Sequence, residues 1–311
     1  MELNFGIIAP AYNESLGIIT WHEELRKSVG YEVPVIIVND ESTDSTLDSL
    51  LQLRGSDSNL YVIDIEKNVG QQLAILAGLE YAIEHFSNLE FFVTLDSDGQ
   101  DPVSLILQMV NKLSESKADI LIGARNDRSV DKLSKRITAK VYYKMMNKIL
   151  DIKLTPEAAE FRVIRKKALV GLLEFKDKRP FWRGLVHYYT PRVEVFLYER
   201  AERGHGNSNY GIKEMFRLAE SGLVNFSEKP LRFLYWSGLI ISISSAILGL
   251  FFFGGFLLGS KVISGWLSLS LIILFFGGIQ ILAIGIIGIY ILELVRNSRN
   301  RPRYVIRNIY G

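Results

Sequence analysis

Two stretches without a charged residue lie close together near the C-terminus: Phe233 to Leu258, 26 residues, and Val262 to Leu292, 31 residues. A helix crosses the hydrocarbon core of a bilayer with about 20 apolar residues. Each stretch exceeds that, and only Gly259-Ser260-Lys261 separates them. So short a connector predicts a tight helical hairpin with both outer ends on one side. Its position late in the chain excludes a signal peptide, and its lack of charge argues against a transporter or channel. Gly254-Gly255, Gly277-Gly278 and Gly285-x-x-Gly288 permit close helix packing, including packing between subunits of a homo-oligomer.

Orientation follows from the basic residues. Lys229 and Arg232 precede the first stretch; Arg296, Arg299, Arg301, Arg303 and Arg307 follow the second; the connector offers only Lys261. The positive-inside rule then places the N-terminal region and the C-terminal tail of a multi-pass plasma-membrane protein in the cytoplasm. The tail, acid-free beyond Glu293, is expected to lie against anionic headgroups, each basic residue near the surface adding about 1 kcal/mol; the alternative is that these arginines serve topology alone. With no cysteine, the chain fits a reducing compartment and has no thiol catalysis, thiolate zinc site or disulfide. A net charge of +2 without a basic patch interleaved with aromatics gives no sign of a nucleic-acid partner.

The preceding residues alternate strand and helix signals. Phe5–Ala9, Val35–Val38, Leu60–Ile65, Phe91–Leu95 and Ile120–Ile122 read as short buried strands, with amphipathic segments at Leu16–Val29, Thr43–Arg54, Gln71–Phe86 and Val103–Ser116. This order predicts an α/β fold, a mostly parallel sheet flanked by helices, whose ligands bind beyond the carboxyl ends of the strands. Polar clusters fall there: Pro10–Glu14, Asn39–Asp44, Lys67–Gln71 and Asp96–Asp101. Farther on, a basic helix over Asp131–Leu150 and a strand over Arg192–Leu197 are predicted. The expected division is a cytoplasmic domain over 1–211, interfacial amphipathic helices over 212–232, the transmembrane hairpin over 233–292 and a basic cytoplasmic tail over 293–311. A linker helix packed on the soluble domain is the alternative for the second segment.

The richest cluster follows the apolar run Phe91-Phe-Val-Thr-Leu95, which ends in Asp96-Ser97-Asp98-Gly99-Gln100-Asp101-Pro102. Two carboxylates spaced i, i+2 and the Gln100 amide oxygen are hard ligands suited to Mg²⁺ or Mn²⁺, which would hold a diphosphate. Either carboxylate could instead bond sugar hydroxyls, and Asp101 before Pro102 could simply cap the next helix. In Pro10-Ala-Tyr12-Asn13-Glu14, Asn13 or Ser15 could be an N-cap, and in Asn39–Asp44, Ser42 or Thr43. Capping leaves Asp40 unexplained; an acid at the sheet edge can accept hydrogen bonds from a ribose or base.

The set Pro10-x-Tyr12-Asn13-Glu14, Asn39-Asp40-x-Ser42-x-Asp44, Asn68-x-Gly70, Asp96-x-Asp98-x-Gln100-Asp101-Pro102 and Gly123-x-Arg125 resembles the inverting family 2 glycosyltransferases of GT-A, Rossmann-like fold. More narrowly it resembles the dolichyl- and undecaprenyl-phosphate sugar transferases, above all the bactoprenol glucosyltransferase type with two C-terminal spans. The resemblance covers essentially the whole chain, including Arg203-x-x-Gly206-x-Ser208-x-Tyr210. It implies that Pro10, Tyr12, Asn13, Glu14, Asp40, Asn68 and Asp96 hold a UDP-sugar. Asp96, Asp98 and Gln100 would hold the metal and diphosphate, and Arg125, Lys135 and Arg136 the lipid phosphate of the acceptor. Asp98, Glu160 and Arg125 would form the catalytic set. Where the family reads Gly-Asp-Phe-Arg, this chain has Ala159-Glu160-Phe161-Arg162. A phosphate monoester has its second pKa near about 6 and arrives largely ionised, so Glu160 is either a base or a group that orients Arg162 or the acceptor; Glu157 is a second candidate. His22, His85 and His187 read as surface or packing residues, and His205 either approaches the diphosphate or has no function.

The expected activity is inverting transfer of glucose from UDP-glucose to undecaprenyl phosphate at the cytoplasmic membrane face, for cell-envelope glycosylation. Alternatives are another sugar on the same lipid (mannose, an N-acetylhexosamine, a modified pentose), a processive polysaccharide synthase, or a non-enzymatic nucleotide sensor. The synthase signature Gln-x-x-Arg-Trp is not found in the sequence.

Overall fold

A computed structural model of the chain describes residues 4–125, 155, 158–178, 180–199, 227–258, 265–299 and 301–311. The chain forms two compact units, one of residues 1–147, 152–214 and 300–311, the other of residues 148–151 and 215–299.

The first unit is built on eight strands: β1 (Phe5–Ala11), β2 (Val35–Asn39), β3 (Leu60–Ile65), β4 (Phe91–Thr94), β5 (Ile120–Arg125), β6 (Ala158–Arg165), β7 (Val193–Tyr198) and β8 (Ile306–Tyr310). They lie in the order β7-β5-β6-β4-β1-β2-β3-β8. Only β6 and β8 run antiparallel to their neighbours, so the sheet is mixed but mostly parallel. Its inner strands are apolar on both faces because both are covered. The helices are α1 (Ile18–Val29), α2 (Thr46–Ser56), α3 (Gln71–His85), α4 (Ile106–Glu115, entered through a 3₁₀ turn at Val103–Leu105), α5 (Lys166–Leu173) and α6 (Trp182–Tyr189). Ile7 and Ile37 join Trp21 and Leu25 of α1 and Met109 and Val110 of α4 in one core. The alternate residues Ile8, Ile36 and Val38 face α3, where a Cβ on Gly78 would come within 2.5 Å of Ile8 Cγ2. That glycine lets the helix lie close on the sheet.

Strands β1 to β5 and β7 and helices α1 to α4 stand where the hydrophobic pattern places them. Strands β6 and β8 were not anticipated. The first carries two charged side chains inward, and the second comes from the basic tail. That tail was expected on headgroups; instead Ile306–Tyr310 closes the sheet edge against β3. Arg307 pairs with Asp64 and Glu66, and Arg303 with Glu80. Carboxylates of the chain itself occupy these two arginines.

The second unit contains α7 (Lys229–Leu257) and α8 (Trp266–Ser298), which carry the two uncharged stretches. Late in α8, Tyr290 Oη donates to the Ser227 carbonyl just ahead of α7, at 2.8 Å. The end of α8 therefore lies beside the start of α7, as an antiparallel hairpin requires. Among the described residues one segment, Phe275–Ser298, rather than the two expected, is shown long and apolar enough to cross a membrane, with mean hydropathy 2.2. Side chains at 251–257 of α7 are outside the described set. The helix predicted over Asp131–Leu150 lies outside the described residues, as does the interfacial segment up to 226.

Candidate active site

The carboxyl ends of β1, β2, β3 and β4 meet where the strand order reverses around β1, the position at which open α/β sheets bind ligands. Side chains tie the loops leaving them into a closed circuit. From the β1 loop, the Asn13 N–H donates to Ser42 Oγ (3.1 Å), while Asn13 Oδ1 accepts the Thr43 N–H (2.8 Å) and the Glu14 N–H reaches Thr46 Oγ1 (2.8 Å). From the β2 loop, Asp40 accepts the Val69 and Gly70 N–H groups, one on each oxygen, both at 2.8 Å. Asn68 returns its side-chain amide to the Asp40 carbonyl, and its N–H goes to Glu41 Oε2. From the start of α3, Gln71 Nε2 donates to Asp96 Oδ1. Ser97 Oγ then donates to the Pro10 carbonyl at 2.7 Å, returning to β1. Asn13 and Glu41 both hold positive φ, 57° and 56°; for Glu41 in particular that strain implies a backbone fixed by its surroundings.

This geometry replaces the capping alternatives. Helix α1 starts at Ile18 after Gly17 with no side-chain cap, so Asn13 and Ser15 do not cap it. Helix α2 starts at Thr46 after an uncapped Ser45. Asp44 accepts the Thr46 N–H and hydroxyl; burial alone raises its pKa, but these bonds and that from Ser15 bring it below the usual value. Asp101 does not cap either: the 3₁₀ turn has no side-chain cap, and buried Asp101 accepts the Tyr198 hydroxyl at 2.5 Å. Burial, then Asp101, pushes the Tyr198 pKa up, keeping the phenol protonated. Asp40, expected to meet a ribose or base, is buried with both oxygens holding the Val69–Gly70 loop. Burial raises its pKa, and those two N–H bonds oppose the rise. Tyr12 is 48% exposed at the rim, an aromatic face open to a flat ring.

Asp96 and Asp98 lie half-buried on the turn after β4, whose Gly99 takes φ 74°, a conformation that favours glycine. Asp98 Oδ1 accepts the Gln100 N–H at 3.1 Å, rounding the turn. Among the described residues no cluster of three or more acidic or histidine side chains could enclose a metal. Two carboxylates nevertheless fit Mg²⁺ or Mn²⁺ completed by water and substrate phosphate, since such ions are commonly held by one or two carboxylates rather than a protein cage. The donor set fits the ion.

Behind the turn, β6 brings Glu160 under β4, where the Glu160 carbonyl accepts the Thr94 hydroxyl at 2.7 Å. The Glu160 carboxylate sits between Arg162 (Oε2 to Nη2, 2.8 Å, off the hydrogen-bond angle) and Arg183 (Oε1 to Nε, 3.2 Å). Burial alone would raise its pKa; the Arg162 and Arg183 guanidiniums more than offset this and hold it below the usual glutamate value. Both oxygens are engaged and the group stays ionised, a poor arrangement for accepting a proton. Arg162 also feels the charge of Asp96, which couples this cluster to the turn. His187 shares a 2.9 Å bond with Thr155, and burial, then Arg162, lowers its pKa. His22 is buried against Asp57 with Arg26, a structural cluster between α1 and α2.

The structure thus brings Pro10, Tyr12, Asn13, Glu14, Asp40, Asn68, Asp96, Asp98 and Gln100 to one edge. Arg125 ends β5 opposite Tyr198, but its side chain lies outside those described. Lys135, Arg136, Glu157 and the loop with Arg203 and His205 lie outside the described residues. Sequence reasoning missed Gln71, Ser97, Arg183 and Tyr198 as supports of the site. Gln71 lay within a polar cluster already noted; Arg183 and Tyr198 reach the site across spans of 23 and 97 residues from their partners and carried no local signal.

The family model of glycosyl transferase family 2 matches residues 6–172. An uncharacterized glycosyltransferase of Bacillus subtilis, YkcC, is 31% identical over 100% of this chain and 95% of its own length. The bactoprenol glucosyl transferase of Shigella phage SfV is 30% identical over 98% of this chain and 99% of its own. Among solved structures, S. aureus TarS 1–349 with UDP-GlcNAc is similar at TM-score 0.46 and 20% identity, over 72% of this chain and 67% of that one.

Proposed function

Because the chain belongs to glycosyl transferase family 2 and is a glycosyltransferase, we propose that it moves a sugar, glucose first among candidates, from a UDP-sugar to undecaprenyl phosphate at the cytoplasmic membrane face. The observation that carries this reading is the closed circuit of four strand-end loops, which leaves the Asp96–Asp98 turn and the exposed Tyr12 on one rim. Relatives named bactoprenol glucosyl transferase that match over nearly their whole length support the lipid acceptor and the glucose.

In the proposed reaction an oxygen of the lipid phosphate attacks the anomeric carbon from the face opposite UDP. The bond from that carbon to the β-phosphate oxygen breaks, UDP leaves with the electron pair, and the configuration inverts. Tyr12 supports the base, and the Asn39–Asp44 loop, pinned by Asn13 and Asp40, supports the nucleoside. Asp96 and Asp98 would hold Mg²⁺ or Mn²⁺, which when bound offsets charge on the departing diphosphate. Arg125 with Lys135 and Arg136 is proposed to receive the acceptor phosphate, arginine matching phosphate through its planar fork. Glu160 is assigned a positioning role: it fixes Arg162 and Arg183 behind the turn, and the acceptor needs no strong base.

Membrane anchoring by a two-span hairpin belongs to the same proposal. The chain leaves the sheet unit after residue 214 and rejoins it at 300, and a chain that returns to its starting side crosses a bilayer an even number of times. Exposed Tyr235 and Trp236 near the start of α7 suit the interfacial level.

The test supplies purified protein in lipid with radiolabelled UDP-sugars and undecaprenyl phosphate. Label should appear in an organic-extractable, mild-acid-labile lipid, most from UDP-glucose. A polymer product would replace this reading with a synthase, and nucleotide binding without turnover would replace it with a sensor.

A further inference from the structure

The C-terminal strand does more than close an edge. In the β3–β8 ladder Asp64 pairs with Asn308 and Ile65 with Ile306, so Arg307 is the extra residue at a register shift. Such bulges re-aim a side chain. Arg307 reaches back over the edge, its Nη1 donating to Asp64 Oδ2 (3.1 Å), its Nε to Glu66 Oε2 (2.8 Å) and its Nη2 to the Glu66 carbonyl (3.2 Å). Asp64 is 1% exposed. Its other oxygen accepts Asn39 Nδ2 at 2.7 Å. Asn39, also buried, accepts the Ser42 N–H on Oδ1 at 3.4 Å, and Ser42 Oγ accepts the Asn13 N–H. A continuous line of polar contacts thus runs from the last residues of the chain to the two loops at the donor rim.

We propose that Arg307 is a positioning residue for the donor site, acting through Asp64 and Asn39 to hold the Asn39–Asp44 loop in its nucleotide-binding shape. The proposal rests on the UDP-sugar reading of that rim. Buried polar chains behave as units: among the described residues, Asp64 without Arg307 keeps only the Asn39 side chain as a side-chain donor, and an Asn39 drawn closer to that carboxylate loosens its already long bond from the Ser42 N–H. The strand follows the membrane helices directly in the chain, so the segment that ends the hairpin also tunes the catalytic domain.

The experiment measures UDP binding by calorimetry, with Mn²⁺, on the full-length protein in lipid nanodiscs, beside transfer kinetics. Arg307→Ala should weaken UDP on the order of five- to tenfold and raise the donor KM alike, with kcat at saturating donor changed less than about twofold. Arg307→Lys, which keeps a cation but not the fork, should recover part of the affinity. Glu80→Gln loosens the same terminal segment elsewhere, at its contacts with Arg303 and Tyr304; it should lower the melting temperature and leave UDP binding unchanged. Unaltered UDP affinity in Arg307→Ala would overturn the relay, as would equal weakening by Glu80→Gln. A wild-type protein that binds no UDP would overturn both the relay and the donor-site reading beneath it.

Discussion

Replacing Glu160 with glutamine is expected to cost stability rather than chemistry. The side chains of Glu160 and Arg162 are 6% and 3% exposed, and that of Arg183 is 21% exposed. Glutamine keeps the shape but removes the one negative charge between two guanidiniums. Breaking a buried pair from one side costs about 3–5 kcal/mol, because the remaining charge stays desolvated. Arg183 can recover water and the new amide oxygen can still accept one hydrogen bond, so the low end, about 3 kcal/mol, applies. At roughly 2–4 °C per kcal/mol for a domain of this size, the melting temperature should fall by about 6–12 °C. The acid side gives a second signature. Glu160 is held below its ordinary value of 4.5, so its stabilisation is fully present above that value and is lost as pH falls through the depressed one. Wild type should therefore shed stability at acid pH through this group, and the variant should lack that component. The assay is thermal unfolding of the lipid-embedded protein followed by tryptophan fluorescence between pH 3 and 8, with kcat measured in parallel. An unchanged melting temperature together with a kcat loss of about 10²-fold or more, the size of a lost general base, would refute the positioning role.

Asp98→Ala should reduce sugar transfer by about 10²- to 10³-fold, the scale of losing one stabiliser of developing charge, and added Mn²⁺ should not restore it; wild-type activity in this variant would remove the metal reading. Tyr198→Phe deletes the hydroxyl donated to buried Asp101 and should cost about 1–3 kcal/mol, read as a lower urea midpoint, whereas an unmoved midpoint would show that the bond contributes nothing.

Much of the site was legible because its parts are local. Asp96-Ser-Asp98-Gly99 combines a strand end, two acids and a glycine within four residues, and Gly99 does adopt positive φ. Asn13, Asp40 and Asn68 were singled out from the sequence and the structure gathers them at one sheet edge, but what they touch was not readable. Capping was the local alternative for Asn13, and a ligand for Asp40; each in fact bonds a loop about 30 residues away. Strand β6 escaped notice because Glu160 and Arg162 interrupt its apolar pattern, and only their mutual pairing allows both to be buried. The tail misled for the same reason. Arginines in an acid-free segment read as headgroup ligands until Asp64, Glu66 and Glu80 are brought beside them by folding.

Two uncharged stretches too long for anything but apolar surroundings, and an alternation of strands and helices that ends each strand in polar residues, are properties of the sequence alone. They follow from hydrophobic length and period, which no tertiary contact alters. The tertiary structure alone decided which buried groups satisfy one another: Glu160 paired with two arginines, Asp101 hydrogen-bonded by the Tyr198 hydroxyl, and Arg307 paired with the acids at the end of β3. A buried charge is tolerable only beside its partner, and those partners stand 2, 23, 97 and more than 240 residues apart. The uncharged stretches could be read from a single stretch of chain; the return of the last strand to the sheet edge beside β3 could not.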